Sequence, residues 1–174
     1  MAEFREDGIV YPTIIALSAC LCQEFEKSGL PEPCSCGPMV GELVIDYCTN
    51  CADGKCGGQA WVRLVSVFPS LDFPQPNQDL NNCGSPLAYQ LEVGVVRCKP
   101  TGTASGVRGY APPTLEQNVA ALRLQTADIA AMRRAIDCCF ANGDLDYIIG
   151  QYNPVTPEGD CLGGAFTLWV RGPY

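Results

Sequence analysis

Residues 88–98, Ala-Tyr-Gln-Leu-Glu-Val-Gly-Val-Val-Arg-Cys, alternate apolar and polar side chains over most of their length. Period-two alternation puts Tyr89, Leu91, Val93 and Val95 on one face of a strand and Gln90, Glu92 and Gly94 on the other. Such a strand must lay its apolar face on something. Two earlier segments, 39–47 (Met-Val-Gly-Glu-Leu-Val-Ile-Asp-Tyr) and 60–68 (Ala-Trp-Val-Arg-Leu-Val-Ser-Val-Phe), have the same β-branched and aromatic character, with no helical pattern between them. Strands that succeed one another without crossover helices predict a mostly antiparallel sheet.

The covering layer is also legible. Residues 12–28 repeat apolar side chains at Ile14, Leu17, Leu21 and Phe25, one face of a helix, with Pro12 in the first turn and Gly29 and Pro31 past the end. A second, longer helix begins after Pro112-Pro113. Thr114-Leu-Glu-Gln117 has capping-box form, and Leu115, Val119, Leu122, Ile129, Met132, Ile136 and Cys139 form a stripe down to about residue 141, where Asn142-Gly143 is a terminator. At 1.5 Å per residue this helix is roughly 42 Å long. Further strands are expected at 145–152 and 165–170, the latter with Phe166, Leu168 and Val170 on one face. The expectation is a single α+β domain over residues 1–174: four to five mostly antiparallel strands packed against an N-terminal helix and one long helix. Two long loops interrupt it. One, at 69–87, is punctuated by Pro69, Pro74, Pro76 and Pro86; the other, at 99–113, is rich in Gly, Thr and Ser and is expected to be mobile.

Twelve cysteines and no histidine narrow the chemistry. Without histidine the Ser-His-Asp and Cys-His mechanisms are closed. Asp144 and Asp146 flank a turn and read as solvated carboxylates. No catalytic residue and no cofactor is expected. Between residues 34 and 58 lies a cysteine-rich loop holding Cys34, Cys36, Cys48, Cys51 and Cys56. Four thiolates from this set would suit zinc, but the first pair is C-x-C rather than C-x-x-C and one cysteine is left over. Disulfides account for more of the set. Together with Cys83 in the Pro-rich loop and Cys161 in the last turn, these seven form the candidate disulfide cluster, each staple worth on the order of 2–4 kcal/mol. Cys48-x-x-Cys51 does not open an apolar helix, as a redox dithiol would. Cys20 and Cys22 read as small core residues, and Cys138-Cys139 cannot both face inward.

The net charge of −8 excludes binding nucleic acid through a basic face. Charged residues make up only 17%, a share low enough to suggest surface covered by oligomerisation. No apolar run is long enough to span a membrane. Leu17-Ser-Ala-Cys20 has the form of a lipoprotein cleavage box, but the segment before it is acidic and Pro12 breaks its apolar run, so a core helix is the reading adopted.

Three stretches carry a family resemblance: Tyr89-Gln-Leu-Glu-Val-Gly-Val-Val-Arg-Cys98, Asp128-Ile-Ala-Ala-Met-Arg-Arg-Ala-Ile-Asp-Cys138 and Gly163-Gly-Ala-Phe-Thr-Leu-Trp-Val170. The chain resembles the tail terminator, or head-to-tail connector, proteins of long-tailed phages (siphoviruses) that infect actinobacteria. The cysteine-rich loop is no part of that pattern. The resemblance implies a virion structural protein: a homo-hexameric ring, assembled in the host cytoplasm, that caps the tail tube protein and joins it to the head-side stopper or connector proteins. DNA would pass through its lumen without specific binding. The 99–113 loop would reach the tube or the connector. Two readings of other classes stand beside it, a cysteine-stapled extracellular binding module and a zinc-dependent adaptor.

Overall fold

The computed structural model describes residues 8–42, 58–77, 85–100, 104–105, 109–110, 112–141, 143, 145–155 and 161–171. Helix α1, Val10–Ser28, buries Leu17, Leu21 and Phe25, four residues apart on one face, and closes on Gly29 in the left-handed conformation that glycine adopts without strain. Strands β1 (Ser35–Met39), β2 (Gln59–Pro69) and β3 (Leu87–Cys98) follow. A short ladder, β4 (Ala104–Ser105) with β5 (Gly109–Tyr110), precedes helix α2, Leu115–Phe140, and the chain continues through β6 (Asp146–Pro154) and β7 (Cys161–Arg171).

The architecture is α+β. Five strands form one sheet in the order β1-β2-β3-β7-β6, antiparallel except for the parallel pair β1–β2. The two central strands, β3 and β7, pair from Ala88↔Arg171 to Cys98↔Cys161. Their alternation sends Leu91, Val93, Val95, Phe166, Leu168 and Val170 to the side covered by the helices, where they join Leu17, Leu21, Phe25, Met132 and Ile136 in one core. Each of these larger side chains contributes about 1.5–3 kcal/mol by leaving water. On the opposite side the Trp61 ring lies across Gly94 and reaches Ala165; a Cβ at Gly94 would overlap that ring.

Four details depart from the sequence expectation. The first strand lies at Ser35–Met39, just before the expected 39–47, of which residues 43–47 fall outside the described residues. Pro38 lacks an amide donor and is tolerated because β1 is an edge strand. Strand β7 starts at Cys161, four residues before the expected 165, because Gly163 and Gly164 let it lie against the β3 backbone and the Tyr152 ring. The described part of the 69–87 loop is tied down: Ser70 is fully buried, its Oγ donates to the Gln75 carbonyl at 2.8 Å, and Asn77 N–H donates to the Pro69 carbonyl at 2.7 Å. Within 99–113 the chain pairs with itself as β4–β5 rather than running as open loop.

The long helix holds the largest correction. Its start matches expectation: Gln117 N–H donates to Thr114 Oγ1 at 3.2 Å, and Thr114 N–H donates to Gln117 Oε1 at 2.8 Å. Of the expected stripe, Met132 and Ile136 are fully buried, but Leu115 (80% exposed), Val119 and Leu122 (59%) are uncovered. Twenty-six residues make a rod of about 39 Å, and only its C-terminal half lies on the sheet and α1. The stripe continues past the core that should bury it.

Candidate functional site

The sequence groups seven cysteines as the candidate cluster, and the structure sorts them differently. Cys36 stands beside Ala60 in the β1–β2 register, which turns it to the helix-covered face, where it is bonded to Cys22 on α1 with a Cα–Cα distance of 5.8 Å. It lies within a strand rather than a loop, and Cys22 is a bridge partner rather than a core filler. Cys34 and Cys161 are also disulfide-bonded, as is Cys98. Cys161 is the first residue of β7 and the register partner of Cys98 on β3. Cys48, Cys51, Cys56 and Cys83 lie outside the described residues. A zinc site drawn from Cys34 and Cys36 needs both as thiolates, and both sulfurs are committed to disulfides. Among the described residues no group of three or more His, Cys, Asp or Glu converges.

Among the described residues, free thiols remain at Cys20, Cys138 and Cys139. Burial pushes the Cys139 thiol up to about 12, with hydrogen-bond contact to Cys20 adding to the effect. The same helix seam carries a polar clamp. Arg134 Nε donates to Glu24 Oε1 at 2.5 Å, and Arg134 Nη2 donates to Ser28 Oγ at 2.9 Å. Arg134's hydrogen bond holds the Glu24 carboxyl below its ordinary value, against a desolvation effect that raises it.

Sequence reading missed the main electrostatic feature. Arg97 and Asp128 are buried, 4% and 2% exposed, and form a two-pronged ion pair: Nη2 to Oδ1 at 2.8 Å and Nε to Oδ2 at 3.0 Å. Arg97 Nη1 also donates to the Pro31 carbonyl, and the guanidinium lies over the Phe25 ring at 5.3 Å. One side chain thus joins β3, α2, α1 and the α1–β1 connection. The signal was in the sequence. Arg97 occupies the core-facing parity of β3, and Asp128 sits four residues before Met132 on the buried stripe of α2. On the opposite face Glu92 accepts from Trp61 Nε1 at 2.9 Å and from Arg63 Nε at 2.7 Å. That carboxylate raises the Arg63 guanidinium further above its usual range.

Among the described residues, concavities open on the surface. One of about 440 Å³ lies between the start of α1 and the end of α2, lined by Ile9, Pro12, Ala16, Cys139, Phe140 and Leu145. A second, about 530 Å³, is bounded by Phe68, Pro74, Gln90 and Trp169. The third, about 250 Å³, runs beside the exposed half of α2, between Leu122, Asn118 and Pro113 on one side and Lys99, Pro100 and Leu162 on the other. None brings together a nucleophile and a base. Among the described residues no helix is long and apolar enough to cross a membrane.

Among the described residues the uncovered large apolar side chains include two groups, with Tyr11, Ile15, Val40 and Ile148 outside them. Leu115, Val119 and Leu122 lie on α2 at the end of the sheet where β3 finishes and β7 begins. Val65, Val67, Leu71 and Leu87 lie at the other end, where β2 finishes and β3 begins. Both groups are well separated along strands of eleven and twelve residues. No protein-family model matches the chain, and no curated protein is significantly similar to it.

Proposed function

We propose that this chain is a tail terminator subunit: six copies form a ring that caps a phage tail tube and joins it to the head-side connector. The three stretches that carry the resemblance are β3, the sheet-packed half of α2, and the bulk of β7, and the Arg97–Asp128 pair links the first two. They form the centre of the fold.

The observation that carries the reading is that exposed apolar side chains gather at both ends of the sheet, Leu115, Val119 and Leu122 at one and Val65, Val67, Leu71 and Leu87 at the other. A ring of identical subunits needs two different, complementary surfaces on each copy. A two-fold dimer needs only one. Six chains of −8 would carry roughly −48, a ring wall along which DNA slides without sticking. The test is native mass with and without tail tubes, on the wild type and on Leu122→Glu. A hexamer, or tube-triggered assembly, that Leu122→Glu abolishes at unchanged melting temperature supports the reading. A monomer that ignores tubes overturns it.

One observation favours a second reading. Disulfides at Cys22–Cys36, Cys34, Cys98 and Cys161 suit an oxidising environment, as in an extracellular binding module. Such a module stays monomeric beside tail tubes and loses its cooperative unfolding transition on reduction. Repeating the native-mass and melting measurements in dithiothreitol separates the two.

A further inference from the structure

We propose that Cys20 and Cys139 are a latent crosslinking site: a dithiol that a small oxidised disulfide converts into a second covalent bridge, tying α1 to the end of α2. The inference stands independently of the ring reading.

Both residues are half-buried, pack against the main core and carry free thiols on facing helices of the α1–α2 seam, near enough for Cys20 to act on the Cys139 thiol. The contact is held in place. Glu24 is one turn beyond Cys20, and Arg134 is about one turn before Cys139, so the Arg134–Glu24 hydrogen bond clamps the two antiparallel helices beside the thiols. Access is also present. Cys20 is partly exposed, and Cys139 lines the open concavity of about 440 Å³ at the start of α1. Cys138, its neighbour in sequence, is exposed, which makes it an internal control.

The chemistry balances with a low-molecular-weight disulfide such as oxidised glutathione. The Cys20 thiolate attacks one of its sulfurs, the small S–S bond breaks, and one small thiol leaves with a proton. Cys139 then loses its proton to solvent, and its sulfur attacks the Cys20 sulfur. The Cys20–Cys139 bond forms and the second small thiol departs. Two protein thiols lose two electrons and two protons, and the small disulfide gains them. Burial raises the Cys139 thiol to about 12, so little of it is thiolate and the second step is the slow one.

Cys22–Cys36 already ties α1 to β1. A second bridge would place α1, β1 and α2 in one covalent frame and close a loop from residue 20 to residue 139. From the loop-length dependence of crosslinking, a rise of about 10 °C in melting temperature is expected.

The experiment treats the full-length protein with oxidised glutathione, quenches in acid, alkylates in urea and maps linked peptides by mass spectrometry. The expected result is a Cys20–Cys139 peptide, an alkylated Cys138 and the raised melting temperature, with bridge and rise both absent in Cys139→Ser. Cys20→Ala serves as a second variant, expected to behave the same way. A Cys20 found joined to Cys22 or Cys36, a stable glutathione adduct on Cys20 beside an alkylated Cys139, or both thiols still alkylated would each overturn the proposal.

Discussion

Removing the Asp128 carboxylate should expose how the fold is held at its centre. Asp128→Ala takes from the Arg97 guanidinium, which is 4% exposed, the two charge-assisted bonds of 2.8 and 3.0 Å that help to compensate its desolvation. The Pro31 carbonyl and the Phe25 ring still touch the guanidinium, and neither of these two groups carries a negative charge. Breaking one side of a buried pair costs about 3–5 kcal/mol. Against a total stability of roughly 5–15 kcal/mol, this is a large share. For a chain of this size it corresponds to a fall of about 10 °C in melting temperature. Replacing both partners, as in Arg97→Met with Asp128→Leu, removes the charge and its desolvation together and should return most of the loss. The assay is urea unfolding of Asp128→Ala and of wild type, Arg97→Met, Asp128→Leu and the double variant, the last four treated as a double-mutant cycle. A loss below about 1 kcal/mol in Asp128→Ala, or a double variant as unstable as the sum of the singles, would refute the argument that the pair is desolvated and coupled.

Three further outcomes follow from the packing. Gly94→Ala drives a methyl group into the Trp61 ring and Ala165, and should cost about 1–3 kcal/mol with a shift in tryptophan emission; an unchanged emission maximum would mean that the ring is not seated on Gly94. Replacing Cys22 and Cys36 together by alanine opens a link of sequence separation 14 and should lower stability by about 3 kcal/mol in denaturant titrations. Glu24→Gln should destabilise at pH 7 but not in strong acid. The Glu24 value is depressed by Arg134 in the folded chain, so its contribution is present above the unfolded carboxylate value of about 4.3 and disappears as pH falls through the lower folded value. Stability curves of variant and wild type that run parallel across that range would contradict the sign.

Local pattern revealed most of the framework. Alternation in 88–98 assigned the faces of β3 correctly, and Thr114 with Gln117 marked the start of α2 to the residue. What local pattern lacked was the extent of the partner surface. Leu115, Val119 and Leu122 continue the same stripe as Met132 and Ile136, and only the length of the sheet decides which of them is covered. The cysteines show the same limit. Spacing drew Cys34 and Cys36 into one group, whereas Cys36 meets Cys22 because strand parity and helix packing bring α1 over β1. Cys22 sits among apolar residues on a helix, and nothing in its neighbours marks it as half of a bridge. Arg97 and Asp128 were legible as charges on core-facing positions, each needing the other, and went unread because they lie in different elements.

The central place of β7 has a consequence for how the protein is born. Strand β3 pairs with β2 on one side and with β7 on the other, and β7 ends at Arg171, roughly 70 residues after β3 ends at Cys98. At about 5–20 residues per second, a ribosome takes roughly 4–15 s to supply them. Throughout that interval the nascent β2–β3 hairpin presents an open, apolar edge, the kind of edge that recruits strands from neighbouring chains. The second edge of β3 closes only when nearly everything described here has been made, so translation speed and chaperone supply, rather than final stability, should govern how much of this protein escapes aggregation.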